Sequence, residues 1–573
     1  MKKIIAVLIF MASFHFSQAQ MQTDNWDNGN KKREENFKNG IQQGKSSYWF
    51  KNGKLAKEGN YKDGKEEGKW TRYYEDGKIK GEENYLLGNK HGAWIYYYAN
   101  GSKAQESYYK FNWPDSVWKA WYENGKLKSE ESFKKKKKEG KWTYYYENGK
   151  KQNEGFFKNN LQCDTYTAWY DNGNLEKQGF FANDTMDGKW TKYYNSGKIK
   201  EEGVYQKGNY LLQNYWDETD KQLVKDGNGH FVLKFDNGAI KAEGNFKNGK
   251  EEGEWNYYLP TKTKEYSVTF VNGKKDGKST YWFDNGKINK EGNFKNDLKT
   301  GVWKWWRNDG SKDMEGALQD DKQTGYWQYF FKNGKKEYEG FYTEGKHDST
   351  WRYYYDTGEL WKTGQFKNDL KHGLWTTYFE NGKKLQEGNY AFNKEEGLWT
   401  AWYDNGTKKD EGYYKEGLMT SEWNGWYYNG TKSYNGFYAD NMKDGKWTNW
   451  NEKGAKVKET TYAKGMLTGD YFEWFDDGKA KETGAYDKDR KVGTWTFYYE
   501  NGSKFEEVNF KKGLQEGSKT SWYNFGGVWT KGQFSGGKMD GKWKTYDKKG
   551  KLASTVIYKK GQLVKEEYIK RTH

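Results

Sequence analysis

The side chains able to do chemistry are few in kind. Histidine occurs at His15, His91, His230, His347, His372 and His573, and the single cysteine is Cys163. His91 and His372 each precede the same glycine of a recurring phrase, so they are spaced equivalents and not a converging cluster. No His-Glu-x-x-His, paired-cysteine or calcium-loop spacing occurs, and no phosphate loop stands between a strand and a helix. The expectation is therefore no catalytic constellation, no cofactor and no metal. What does recur is a ring every 24 residues: Tyr73, Tyr97, Trp121, Tyr145, Trp169 and Tyr193. Rings at equal steps along a sheet can stack on sugar faces. The competing reading is a cross-strand ladder that only stabilises the sheet.

A 24-residue phrase positions those rings. It is clear at Gly68-Lys69-Trp70-Thr71-Arg72-Tyr73-Tyr74-Glu75-Asp76-Gly77-Lys78 and restarts at Gly92, Gly140, Gly188, Gly253, Gly301, Gly325, Gly373, Gly397, Gly445, Gly493 and Gly541. Weaker copies place Trp118, Tyr166, Trp351 and Trp423 at the tryptophan position. A fixed period implies stacked units, each touching mainly its neighbours. Counting from the leading glycine as zero, aromatics fall at +2, +5 and +6, and Asn-Gly or Asp-Gly at +8 and +9. Asn-Gly between aromatic runs predicts a hairpin with both turn residues at positive φ. A second run ends Glu-Gly-x-aromatic, as in Glu58-Gly59-Asn60-Tyr61, and closes with a second turn such as Asp63-Gly64. Each unit is then two strands and two turns.

Alternation places +2, +4 and +6 on one face with the recurring strand glycine, which leaves room for a ring to lie across bare backbone. The opposite face, with Thr at +3, the ring at +5 and Glu, reads as the wetter one. Pro114 and Pro260 are expected at turns. The fold class predicted is all-β: a repeat solenoid, a long antiparallel meander of about 22 stacked units forming an elongated, twisted, curved sheet.

Charged residues make up 31% of the chain and aromatics 20%, with 31 Trp and 50 Tyr. Few aliphatics and many charges lean toward disorder, but this aromatic content supplies an aromatic core. Lys2, Lys3, the apolar run Ile4–Phe16 and Ser17-Gln18-Ala19 read as a secretory leader cut after Ala19. No later stretch is apolar enough to cross a bilayer. The net charge of +17 suits an anionic lipid, an acidic polysaccharide or an acidic protein, though solubility and protection of strand edges explain it as well. The run Lys134–Lys138 reads as a solvated turn. Export argues against nucleic acid as a partner.

The organisation predicted is a leader at 1–19, an N-terminal partial repeat or cap at 20–43, a first repeat block at 44–211, a shortened 17-residue repeat at 212–228, a second block at 229–549 and a C-terminal cap at 550–573.

The phrase Gly-Lys-Trp-x-x-Tyr-Tyr-x-Asn-Gly-Lys followed by Glu-Gly-x-Phe/Tyr, plainest over 68–88, 140–157 and 373–390, resembles the bacterial variant of the MORN (membrane occupation and recognition nexus) repeat. Choline- and glucan-binding repeats share part of the phrase but run shorter and lack the Glu-Gly-x-Phe strand. The resemblance implies stacked β-hairpins. For function it implies lipid-headgroup binding, scaffolding or oligomerisation, or a toxin-neutralising immunity role, and it brings no catalytic residue. The reading is an exported, non-enzymatic scaffold, periplasmic or at the cell surface, that binds a protein or cell-envelope partner. Glycan binding through the ring column and anionic-lipid binding are the alternatives.

Overall fold

The computed structural model describes residues 19–568; the leader lies outside the described residues apart from Ala19. These residues hold forty-eight strands and no helix. The chain divides into two compact units, one through Lys275 and one from Asp276. Each is a meander in which strands pair antiparallel with their chain neighbours.

The unit at Gly68 shows why the phrase folds as it does. Its strands are Lys65–Tyr73 and Ile79–Leu86. The loop between them differs from the two-residue turn expected for Asn-Gly. Tyr74 N–H donates to Lys78 O (2.8 Å), Gly77 N–H donates to Tyr74 O (2.9 Å), and within this loop only Gly77 has positive φ, at 95°. This is a three-residue loop closing in a glycine bulge. Asx at +8 is kept for its side chain instead. In the unit at Gly140, Asn148 Oδ1 accepts Lys150 N–H (2.9 Å) and Asn148 Nδ2 donates to Asp171 O of the next unit (2.7 Å). The +6 ring does the same work: the hydroxyls of Tyr74 and Tyr122 donate to Tyr97 O and Tyr145 O, each 2.7 Å away. Two-residue turns with both φ positive occur at the opposite edge, as at Asp63-Gly64 (52° and 75°).

That opposite edge is also stitched from unit to unit. Gly64 N–H donates to Gln42 O and Gly88 N–H to Glu66 O, both at 2.9 Å. Lys90, Lys138 and His347 each donate their backbone N–H to an Asn or Asp in the following turn: Asn112, Asn160 and Asp369. Pro114 occupies the equivalent position. It lies inside the strand Trp113–Trp121, opposite Tyr109, and not in the expected turn. The residue that would accept its missing N–H is Lys136, which places its ammonium over the Trp113 ring at 2.9 Å instead. Donor and acceptor are thus lost together. Pro260 does sit in a turn.

The core is a row of tryptophans laid on glycines. Trp70, Trp303, Trp351 and Trp495 are fully buried. A Cβ on Gly59, Gly292, Gly340 or Gly484 would overlap the Cδ2, Cε2 and Cγ of the indole that follows. Gly59 is skipped by the ladder, since Glu58 faces Thr71 and Asn60 faces Glu67. The bulge turns the Asn60 carbonyl to the indole N–H of Trp70 (3.2 Å), and the same ten-residue bond recurs from Trp303 to Asn293 and from Trp351 to Phe341. Edge-on rings wedge between successive indoles, as Tyr61 does against Trp70 at 5.1 Å and 80°. The leading glycine is needed for its φ: Gly68 sits at +69° with open space around it. Ser116, Asp164, Ser349 and Ser421 hold the same place in the weaker copies at 56–63°.

The shortened segment is built into the first compact unit. Gln222–Lys225 is a four-residue strand between Asn209–Trp216 and Asn228–Lys234. Leu212, Tyr215 and Val224 form a small buried core there. The edge ladder continues through it, Gly227 N–H to Gln213 O (2.7 Å) and Gly249 N–H to Gly227 O (2.8 Å).

Candidate functional site

The six column rings Tyr73, Tyr97, Trp121, Tyr145, Trp169 and Tyr193 all lie half-buried on the face opposite the tryptophan row. Each ends the first strand of its unit, just past a bulge such as the one between Arg72 and Tyr73. Two strands separate successive rings, a step of about 10 Å.

Every ring but one has a polar partner from its own chain, and the partner follows the ring type. Tyrosine hydroxyls engage an acid or amide fifteen residues back: Tyr73 donates to Glu58 (2.9 Å), Tyr145 to Glu130 (3.1 Å), and Tyr193 accepts from Gln178 (2.9 Å). Tryptophans carry a lysine eighteen residues back over the ring: Lys103 over Trp121 at 5.1 Å and Lys151 over Trp169 at 5.3 Å. Those lysines also pair with Glu106 (3.0 Å) and Glu154 (2.7 Å). Tyr97 engages through its carbonyl, which accepts the Tyr74 hydroxyl. The pattern continues in the second unit, with Lys384, Lys408 and Lys432 over Trp402, Trp426 and Trp450.

These partners set the protonation states. Burial, then the Glu58 hydrogen bond, push the Tyr73 hydroxyl up to about 12. Burial, then Glu130, raise Tyr145. Hydrogen bonds from Lys45 and Lys119 hold Glu58 and Glu130 below the usual carboxylate range. At neutral pH the face is therefore a lattice of neutral phenols, carboxylates and ammoniums. It is less wet than the sequence implies. Thr143, Thr376 and Thr400 at +3 are 4–8% exposed, and Thr376 and Thr400 donate to Glu387 and Glu411 (2.8 and 3.1 Å).

The histidines stay apart. His91 packs on Phe111 and His372 on Phe392, at 5.0 and 4.9 Å, so the two are equivalents in space as in sequence. His347 Nδ1 meets Asp369 (2.8 Å) and Nε2 meets the Tyr342 hydroxyl (3.2 Å). Cys163 is half-buried and free. Among the described residues no group of three or more metal-ligating side chains converges, and no helix is long and apolar enough to cross a membrane.

A second row, at +4, runs on the tryptophan side. Cross-strand register threads it through Trp305, Met314, Tyr329, Tyr338, Tyr353, Lys362, Thr377, Gln386, Ala401 and Asp410. Its signal in the sequence is the failure to repeat: +4 changes size and charge while +2 on the same face is tryptophan in every unit from Trp303 to Trp447.

Comparison with known proteins follows this geometry. Thirteen segments match the family described as MORN repeat variant: 42–63, 66–86, 90–111, 114–135, 138–159, 165–183, 186–207, 275–296, 348–368, 371–391, 395–416, 491–512 and 539–560. No curated protein matches. Solved structures with similarity include a chain of "Crystal Structure of TcdB2-TccC3-TEV", 12% identical at a TM-score of 0.13, covering 94% of this chain and 30% of that one. A chain of "Crystal Structure of TcdB2-TccC3" is 10% identical at 0.12, covering 95% and 34%. A chain of the Photorhabdus luminescens Tc holotoxin pore is 10% identical at 0.11, covering 94% and 32%. This chain spans about a third of theirs, and overlaps of that quality carry no argument about what it does.

Proposed function

The chain is a MORN-variant repeat protein, and from that premise we propose that it is an exported, non-enzymatic scaffold that binds a protein or cell-envelope partner along one sheet face. The observation that carries this reading is the column face, where half-buried rings recur at a constant step, four of the six beside a lysine or carboxylate. Such a surface offers many equivalent weak contacts. A partner touching several at once gains avidity without any single strong site. The recurring Tyr and Trp match the aromatic enrichment of protein interfaces.

The test replaces Tyr97, Trp121 and Tyr145 with Ser and compares recovery from envelope extract with wild type. Loss of a specific protein with the triple variant, while circular dichroism stays unchanged, supports the reading. Equal recovery by both chains refutes the assignment to this face. N-terminal sequencing of the secreted fraction tests export: a start at Gln20 is expected, and a retained leader refutes it.

A further inference from the structure

One stretch of the +4 row opens into a groove. At this offset Trp305, Tyr329 and Tyr353 fill three consecutive units of the second compact unit, and Thr377, Ala401 and Gly425 follow. Register sets Ala401 opposite Asp410, Asp410 opposite Gly425, and Gly425 opposite Tyr434. The Tyr434 ring crosses the bare backbone of Gly425 and stacks on Trp447 at 5.7 Å and 18°. Its hydroxyl donates to Asp410 Oδ1 at 2.7 Å. The space left is an open groove of about 700 Å³. Its lining includes Trp399, Ala401, Tyr403, Asp410, Trp423 and Tyr434, with Asp404 and Lys409 also on its wall.

The electrostatics of Asp410 point to an occupant. Neighbouring strand carboxylates have ammonium partners: Glu387 with Lys384 (2.7 Å), Glu411 with Lys408 (2.5 Å) and Glu459 with Lys446 (2.6 Å). Among the described residues Asp410 has the Tyr434 hydroxyl and no cation within ion-pair distance. Lys409, beside it in sequence, lies over the Tyr403 ring at 5.8 Å. A carboxylate with one free oxygen, recessed among rings in a chain of net charge +17, is the chemistry that holds a cation. The carboxylate supplies a charge-assisted hydrogen bond and the rings a cation–π contribution. The excess positive charge of the chain is spread over its length and screened beyond about 8–10 Å, so the local carboxylate governs.

We propose that this groove binds an organic cation, an alkylammonium or guanidinium group, paired with Asp410 Oδ2 and packed against Trp399 and Trp423. It lies on the other face from the ring column, so its failure and the failure of the scaffold reading are separable. The test titrates the full chain with n-butylammonium, n-butylguanidinium and the tripeptides Gly-Lys-Gly and Gly-Arg-Gly, with 1-butanol as the neutral control, read by calorimetry and tryptophan fluorescence. Saturable binding of cations but not 1-butanol is expected. Asp410→Asn, which keeps the acceptor for Tyr434, should weaken it about tenfold or more. Ala401→Tyr should abolish it by filling the groove, and the fold accepts Tyr at this offset in Tyr329 and Tyr353. Binding of the free amines identifies a small-molecule site, and binding of the tripeptides alone identifies a side chain of a peptide partner. No cation binding, equal binding of 1-butanol, or unchanged affinity in Asp410→Asn overturns the proposal and leaves the column test untouched.

Discussion

The tryptophan-on-glycine bed predicts a specific non-additivity. Gly340 carries no side chain because the Trp351 indole lies on it, and Trp351 is fully buried with its N–H bonded to Phe341 O at 3.1 Å. Gly340→Val must lift that indole. Overpacking costs about 1–3 kcal/mol and the lost hydrogen bond about 1 kcal/mol, for a total of about 2–4 kcal/mol. Trp351→Ser removes a buried indole, at about 3–5 kcal/mol. Independent effects would add. They should not add here, because the chain already contains a double substitution of this kind: Val508 replaces the glycine where Lys519 replaces the following tryptophan. Val508 is 1% exposed, so the valine fills what the indole vacates. Gly340→Val with Trp351→Ser should therefore recover about 2–3 kcal/mol of the summed cost, a coupling of the size neighbouring residues show. Hydrogen exchange of the strands Lys336–Thr343 and Lys346–Tyr354 is the assay, because a repeat array need not melt as one two-state unit. An additive double variant, or unchanged exchange in Gly340→Val, refutes the packing argument.

Three further outcomes follow from the geometry. Glu83 stands where other units have glycine and is 2% exposed, with Arg72 at 2.7 Å, Tyr96 at 2.8 Å and Tyr85 at 3.1 Å; Arg72→Met strands that charge and should cost about 3–5 kcal/mol. Burial works to raise the Glu83 carboxyl, but the bonds from Arg72, Tyr96 and Tyr85 outweigh it and hold the group below its ordinary value. Its contribution is thus complete above the unfolded value of about 4.3 and lost as pH falls through the folded one; the protection factors near Ile79–Leu86, taken relative to intrinsic exchange at each pH, should fall at acid pH in wild type and much less in Glu83→Gln. Ser349→Gly and Ser421→Gly relieve left-handed strain at φ 56° and 57° and should each stabilise by about 0.5–1 kcal/mol, less any entropy gained by the unfolded chain; thermal melts that fall instead refute the strain. Asn148→Asp keeps the acceptor for Lys150 but loses the donor to Asp171 O, and should weaken protection of the Gly140 unit by about 1 kcal/mol; protection equal to wild type refutes the stitching role of the amide.

The strand layout and the role of the strand glycine were legible because both follow from period and sterics. A recurrent glycine in a strand, eleven residues before a tryptophan, has few explanations other than a ring over bare backbone. Turn type was less legible. Asn-Gly at +8 and +9 permits two hairpin loops, and the choice rests on bonds from Asn148 to the following unit, which a single hairpin does not contain. Pro114 was misplaced for the same reason: its missing N–H points at the next unit's turn, outside the ladder of its own hairpin. The column rings were legible as a set, while their partners, a carboxylate for tyrosine and a lysine for tryptophan, required the register. The groove at Ala401 carries no periodic signal, because the residues that open it do not recur.

The copies within this one chain amount to a substitution series, and their drift separates structural from selective positions. A change at +2 or at its glycine disturbs two neighbouring units, which favours compensated pairs such as Val508 with Lys519. Glu35, Glu83 and Glu131 at the glycine position obey the same logic, each bonded to a tyrosine thirteen residues on: Tyr48, Tyr96 and Tyr144. Away from those three tyrosines, which are themselves +4 residues, the row is looser, since its side chains rest on the sheet beside the indoles. It therefore runs through Trp305, Tyr353, Thr377, Ala401 and Gly425 without breaking the fold. Equivalent column rings can supply the pitch of a long interface but cannot mark one place along it. A position-specific contact has to come from a row that does not repeat, and the second compact unit concentrates its smallest residues in that row where Asp410 lies unpaired.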